Sequence, residues 1–298
     1  DKVSEFLSER LKPFYTRITK KELNLSKPIF NKPISLKMNP IEQKIYDAII
    51  TNIKYYPLDK YENNIDLVKK MRRARTIRLR QCCSYVQNLN TAIPEEVDSS
   101  DNLINNDDIK SLITHYDKNE KPAKLLKLKT MVMNLINSDK KILVWSTHLK
   151  TIDLILKELK SEKIITKKIT GSTDLNERAD IKNEFNDKNS TLNVIVANPQ
   201  ACSESISLHK ACQNAIYYDI SYNTAEFLQS LDRIHRVGGS EEKPVYYDFL
   251  HYDNSIDEKV YERVFKKADR QMQIIENENL TFSINDEDDI DDLYKEYE

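Results

Sequence analysis

Within Asn223–Gly239, NTAEFLQSLDRIHRVGG, two arginines are spaced to act on a phosphate. Read as one helix at about 100° per residue, Gln229, Arg233 and Arg236 fall at i, i+4 and i+7 on one face, while Phe227, Leu231 and Ile234 repeat that spacing about half a turn away. Asn223 with Glu226 three residues on forms a capping-box-like start, and Gly238 stands where a left-handed C-cap would end the helix. Arginine stays ionised and offers a planar fork of donors, so a pair aimed one way from a buried support suits a phosphoryl group that gains charge during transfer. A solvated Gln/Arg face on an amphipathic helix satisfies the same pattern.

The elements that must position these arginines alternate along residues 140–252. Apolar runs KILVWS (141–146), KKITG (167–171), LNVIVAN (192–198), NAIYYDI (214–220) and VYYDFL (245–250) are separated by helical patterns. HLKTIDLILKELKSE is apolar at Ile152, Ile155, Leu156 and Leu159, and DLNERADIKNEFND starts with Asp174 and Glu177 in D-x-x-E spacing. Strand and helix in alternation, with continuous apolar strands, predict an α/β fold whose parallel sheet carries helices on both faces. Ligand chemistry then gathers at the carboxyl ends of the strands. Residues 90–121, rich in Asn, Asp, Ser and Lys, read as a loop or mobile insertion.

Composition sets further bounds. Charged residues make up 32% of the 298, with a net charge of −2, so the overall balance does not advertise nucleic-acid binding. The last thirteen residues, Asp286 to Glu298, hold eight acids and one lysine; without them the chain carries +5, and this tail reads as disordered. Cys82, Cys83, Cys202 and Cys212 fit neither a zinc site nor a disulfide framework and read as reduced core residues. No metal site is expected. With no apolar run of eighteen residues and no cleavable signal, a soluble intracellular protein without membrane contact is expected. Only Gly171, Gly238 and Gly239 occur and none precedes a lysine, so the phosphate-cradling loop GxxxxGK[ST] is absent from these residues. Asp257-Glu258 reads as the acidic start of a helix rather than a magnesium box.

Gln229-Ser-Leu-Asp-Arg-Ile-His-Arg-Val-Gly238 resembles the sixth motif, Gln-x-x-Asp-Arg-x-His-Arg-x-Gly, of the Swi/Snf-related DNA translocases within helicase superfamily two. Lys141 to His148 resembles the fourth motif, and Gly171, Arg178 and Phe185 the block after it. Asn198–Leu208, NPQACSESISL, occupies the place of the fifth, with Cys202, Ser203 and Ser205 where glycines are usual. Tyr218-Asp219 to Tyr222-Asn223 stands where that family has an aspartate followed by Trp-Asn-Pro. Residues 7–23, 39–46 and 79–83 resemble the passage between lobes and the helical part before the second lobe, and Ser255–Glu258 the start of a bracing helix.

The resemblance implies a RecA-like parallel sheet with an α-helical N-terminal insertion and a C-terminal bracing helix. The expected organisation is an entry segment at 1–40, a helical insertion with a mobile loop at 41–120, the second lobe at 121–252, the bracing helix at 253–285 and the acidic tail at 286–298. It implies catalytic roles for Arg233 and Arg236, which reach ATP held by a first lobe, with Gln229, Asp232 and Ser205 on the nucleotide side. ATP and Mg²⁺ would be held mainly by that first lobe, and the start at Asp1 is that expected of a piece of something larger. Ser146, Thr147, His148, Asn198, Ser203 and Asn223 are placed to grip the phosphates of double-stranded DNA, although helix capping and strand-end bonding explain the same residue types. Arg72, Arg73, Arg75, Arg78 and Arg80 form the densest basic cluster but spread around a helix, and Trp145 reads as core.

The reading is the second motor lobe of an ATP-dependent DNA translocase, inactive as an ATPase alone. The alternatives are a non-catalytic nucleic-acid-binding or scaffold module, and an RNA helicase of the same superfamily. A cytoplasmic location in a prokaryotic or viral setting is expected from the serine-substituted fifth motif, or a nuclear one in a eukaryote.

Overall fold

The computed structural model describes residues 22–55, 58, 64–92, 104, 106–202, 206–241 and 243–276. In chain order the elements are β1 (Ile29–Phe30), β2 (Ile34–Leu36), α1 (Pro40–Tyr55), α2 (Ile65–Ser84), a 3₁₀ turn (Val86–Asn90), α3 (Asp107–Thr114), α4 (Tyr116–Asn119), α5 (Ala123–Ile136), β3 (Lys141–Trp145), α6 (Leu149–Ser161), β4 (Thr166–Ile169), α7 (Leu175–Asn186), β5 (Val194–Ala197), a second 3₁₀ turn (Pro199–Cys202), β6 (Cys212–Tyr217), α8 (Thr224–Leu231), β7 (Tyr246–Tyr252) and α9 (Ile256–Glu276).

The strands form one parallel sheet in the order β1-β7-β6-β3-β5-β4, with β2 also pairing β7. All five apolar runs of the sequence lie in it. Alternation along the strands explains the two cores: Leu143 and Trp145 of β3 join one cluster, Ile142 and Val144 the other. The first core takes Phe227 from α8 and Val260 from α9; the second takes Ile152 and Ile155 from α6. Both faces are therefore covered, as continuous apolar strands require.

Three features depart from expectation. Residues 29–36, within the stretch read as an entry segment, supply two strands that pair with β7. The stretch 90–121, read as a loop, contains α3 and α4, and Ile109, Ile113 and Tyr116 bury there against the insertion. Its Asn-rich composition serves capping: the Asn106 side chain accepts from the Asp108 amide at 2.8 Å. Most decisively, α8 stops at Leu231, so the single helix read over 223–239 covers only its first half. Residues 1–21 and the acidic tail lie outside the described residues.

Candidate nucleotide and nucleic-acid site

The carboxyl ends of β3, β5 and β6 bring Ser146, Thr147, His148, Asn198 and Asp219 together, and Asp219 organises them. Its carboxylate accepts from the Ser146 hydroxyl (2.8 Å), the Thr147 amide and hydroxyl (2.6 Å each) and the Ser84 hydroxyl at the end of α2 (2.8 Å). Ser84 also meets Thr151 at 2.7 Å, and Thr151 accepts from Asn88 at 2.9 Å, so the helical insertion is wired to the sheet. Asn198 donates to the Thr147 carbonyl at 3.0 Å and accepts from the Gln200 amide at 2.9 Å, which ties the start of the fifth-motif segment to the same platform.

Burial pushes the Asp219 carboxyl up, but the charge that His148 takes on in acid, the Lys124 ammonium and the bonds from Thr147 outweigh it and hold the group below the usual carboxylate range. His148 moves the same way for a different reason. Burial, with Arg80 and Lys124 nearby, pushes its imidazole down to about 4 against the opposing pull of Asp219. At neutral pH it is an uncharged ring, able to offer a hydrogen bond but no cation. Ser146 is fully buried and its hydroxyl faces Asp219, so it shapes the platform from below, while Thr147 and His148 reach the surface in part.

Lys124, at 0% exposure, stands behind this platform. Its ammonium donates to the Tyr218 carbonyl at 3.1 Å and pairs with Asp257 at 2.7 Å, and it lies over the Tyr218 and Tyr252 rings. Asp257 thus starts α9 and also balances a buried charge.

The arginines occupy a different structure from the expected helix face. Asn223 caps α8 by accepting from the Ala225 and Glu226 amides at 2.9 and 3.2 Å. The reciprocal half of the box runs through Ser221: the Asn223 amide donates to the Ser221 hydroxyl, which donates to Glu226 at 2.7 Å. After Leu231 the ladder gives way because tertiary partners replace it. The Arg233 carbonyl accepts from the Leu208 amide at 2.9 Å, and Ser240 bonds the Ile234 carbonyl and the Arg236 amide and carbonyl.

Arg233 is only 8% exposed at the base of this turn, whereas Arg236 is exposed and donates to the Ser207 hydroxyl. Gln229 is also exposed and Asp232 is half-buried. Gly238 takes φ +92°, as a left-handed position requires, and at Gly239 a Cβ would overlap the His209 carbonyl. One segment therefore serves both groups: Asn198 at its start holds the strand-end platform, and Ser207 and Leu208 at its end hold the arginine turn. Ser203 and Ser205 lie outside the described residues.

Arg178 fixes this segment too. It donates to the carbonyls of Thr173 (2.8 Å), Ala201 (2.9 Å), Thr170 (3.1 Å) and Gly171 (3.3 Å), clamping the loop after β4 onto the turn after β5. The basic cluster on α2 is also internal in part. Arg78 binds the Leu89 and Thr91 carbonyls, Arg80 binds the Ile220 carbonyl, and Arg75 is buried. Trp145 packs beside Tyr217, and Cys82, Cys83 and Cys212 are buried and unbridged.

Sequence reasoning passed over Asp219, Lys124 and Ser84 as site-forming residues. Asp219 carried a signal, an acid closing an apolar strand; the other two carried none. Among the described residues no group of three or more His, Cys, Asp or Glu side chains is placed to hold a metal, and no helix is long and apolar enough to cross a membrane.

This topology, with its polar platform at the carboxyl edge, is that of a RecA-like lobe. Residues 120–238 match the family model of the helicase conserved C-terminal domain. The chain is 31% identical over 125 residues to "ATP-dependent helicase fft3" of Schizosaccharomyces pombe, covering 42% of this chain and 13% of that protein. It is 27% identical over 158 residues to "Chromatin-remodeling ATPase INO80" of Homo sapiens, covering 53% and 10%. To "SWI/SNF-related matrix-associated actin-dependent regulator of chromatin subfamily A member 1" of Mus musculus it is 25% identical over 265 residues, covering 88% and 23%. Among solved structures, "Crystal structure of the C-terminal part of Fun30 ATPase domain" superposes with a TM-score of 0.62 at 18% identity, over 92% of this chain and 98% of that one, which establishes the fold. Residues 120–238 therefore carry a helicase conserved C-terminal domain, and the relatives that the chain resembles are named as an ATP-dependent helicase and chromatin-remodelling ATPases. It spans 10 to 23% of the length of the curated relatives named here.

Proposed function

We propose that this chain supplies the second motor lobe of an ATP-dependent translocase or remodeller acting on double-stranded DNA. In this reading a first lobe holds ATP and Mg²⁺, and closure of the two lobes brings Arg236 toward the γ-phosphate. Arg233 adds its charge from the base of the same turn, with Gln229, Asp232 and Ser205 on the nucleotide side. The platform of Thr147, His148 and Asn198, together with Ser203 and the α8 cap residue Asn223, binds backbone phosphates through neutral donors, which suits a motor that must not read sequence. Ser146 acts beneath it through Asp219. What carries the reading is the single segment from Asn198 to Leu208, which touches the strand-end platform at one end and the arginine turn at the other. A change in nucleotide contact is thereby mechanically adjacent to a change in grip.

Arginine fingers contribute on the order of 10³ to 10⁵ in rate in related phosphoryl-transfer enzymes. Arg236→Ala in a motor carrying both lobes is expected to abolish DNA-stimulated ATP hydrolysis while DNA binding persists, and hydrolysis at the parent rate would overturn the assignment. The fragment alone is expected to turn over no ATP. A scaffold role makes the opposite forecast, hydrolysis indifferent to Arg236, and stimulation by RNA rather than duplex DNA would transfer the reading to an RNA motor. The relatives named here come from a fungus and two mammals, so the reading is eukaryotic and nuclear; they lend no support to a prokaryotic or viral setting.

A further inference from the structure

Between the C-terminal end of α7 and the turn at Ser207–Lys210 lies an open cleft of about 480 Å³, lined by Lys182, Asn183, Asn186, Asp187, Ser207, His209 and Lys210. Its size falls in the range of small-ligand sites, roughly 300–1,000 Å³, and each residue that lines it is polar or charged, two of them lysines. Two of its polar atoms are sheltered from solvent yet have no hydrogen-bond partner: Asn186 Oδ1 and His209 Nδ1. Of the two, only His209 Nδ1 can donate to an anion, when it carries the ring proton; Asn186 Oδ1 only accepts and gives a phosphate nothing.

We propose that this cleft binds a phosphate group through Lys182, Lys210 and the Ser207 hydroxyl. The chemistry follows from what each group has left to give. Arg236 donates to Ser207 Oγ, which leaves the Ser207 proton free to donate outward and places a further cation beside the cleft. Asn186 is held by its amide, which donates to the Ser207 carbonyl at 3.1 Å and fixes the two walls together. The one acid in the lining, Asp187, accepts from the Asn189 amide at 2.9 Å.

A helix C-terminus ordinarily repels anions, but here Lys141 donates to the carbonyls of Phe185 and Asp187 at 2.7 and 2.8 Å and covers that end. Against the Asp187 carboxylate and a residual half-charge of the helix stand two full lysine charges and Arg236. Burial first, and then Arg236 and Lys210, hold the His209 imidazole below its ordinary value against the opposing pull of Glu241. Both a segment of nucleic-acid backbone and a free polyphosphate such as a nucleotide carry the group that fits.

The test measures binding of the whole chain to three probes: a labelled short DNA duplex, a labelled ATP analogue, and unlabelled tripolyphosphate as competitor. The charge-reversed pair Lys182→Glu/Lys210→Glu is compared with the neutral pair Lys182→Gln/Lys210→Gln and with Lys54→Glu, an exposed lysine on α1. If the phosphate belongs to a nucleic-acid backbone, both pairs lose roughly tenfold or more in duplex affinity, the slope of log affinity against log salt falls by about 2, and Lys54→Glu changes neither. If it belongs to a free polyphosphate, the loss appears with the ATP analogue, tripolyphosphate displaces that analogue from the wild type, and duplex binding is unchanged. Wild-type affinity and salt slope in both folded pairs, or a wild type that binds none of the probes, overturns the proposal. Because neither lysine belongs to the arginine turn, failure here leaves the assignment of Arg236 untouched.

Discussion

His148 and Asp219 both titrate below their ordinary values, and each shift makes stability fall as the solution is acidified. For His148, the unfolded chain takes up its proton near pH 6.5 while the folded protein resists until about 4. Across that window the unfolded state binds more protons, so folding loses up to about 3 kcal/mol between pH 6.5 and pH 4. Asp219 has a depressed folded value, so its contribution is complete above its unfolded value of about 3.9 and disappears as pH falls through the folded one. Urea denaturation at a series of pH values should show this slope, and His148→Gln should flatten it between pH 4 and 6.5. An unchanged profile in that variant would assign the dependence to another group. None of this was legible in the sequence, where His148 resembled a phosphate ligand, because its neutral state depends on burial and on Arg80 and Lys124 from other elements.

At the scale of elements, the sheet was legible and the arginine turn was not. Strands β3, β5, β6 and β7 announce themselves because strands covered on both faces are mostly apolar, whereas the edge strand β4 keeps Lys167 and Lys168 exposed and is read from its place in the alternation. β1 and β2 have only two and three residues and no such pattern, so their pairing with β7 could not be read. The continued apolar spacing at Phe227, Leu231 and Ile234 reads as helix to the end, and Ile234 is indeed buried. What breaks the helix is remote: bonds from Leu208 and Ser240 take over the backbone, and the Leu208 contact cannot be inferred from local spacing.

Arg178 makes the element-scale prediction. Arg178→Ala removes four carbonyl contacts made by one guanidinium and should cost about 3 kcal/mol, seen as a lowered melting temperature. Arg178→Lys should recover little of it, since a lysine ammonium cannot reproduce a planar fork. Full recovery by lysine would show that charge alone matters there.

Across the whole molecule, one apolar cluster runs from the insertion into the sheet, and a few enclosed polar groups cross the same fold. Ser84 ties the insertion to Asp219 across 135 positions of sequence, and Lys124 of α5 ties to Asp257 of α9 across 133. Such separations leave no trace in periodicity, which is why neither contact could be read from the sequence. Removing one partner of an enclosed ion pair leaves the other uncompensated. Lys124→Met should therefore destabilise the fold by about 3 to 5 kcal/mol, whereas Lys124→Met with Asp257→Leu should recover much of the loss. Chemical denaturation of the two variants decides the matter, and a double variant no better than the single would show that Asp219, not Asp257, is the partner that counts.

Ser26 gives the N-terminal stretch a grip on the far side of the chain: its amide donates to the Ser240 carbonyl, its hydroxyl to the Glu241 carbonyl, and its own carbonyl meets the His235 ring. His235 lies between Arg233 and Arg236. The stretch before β1 is thus fastened to the bend that carries both arginines, so that a pull on one displaces the other.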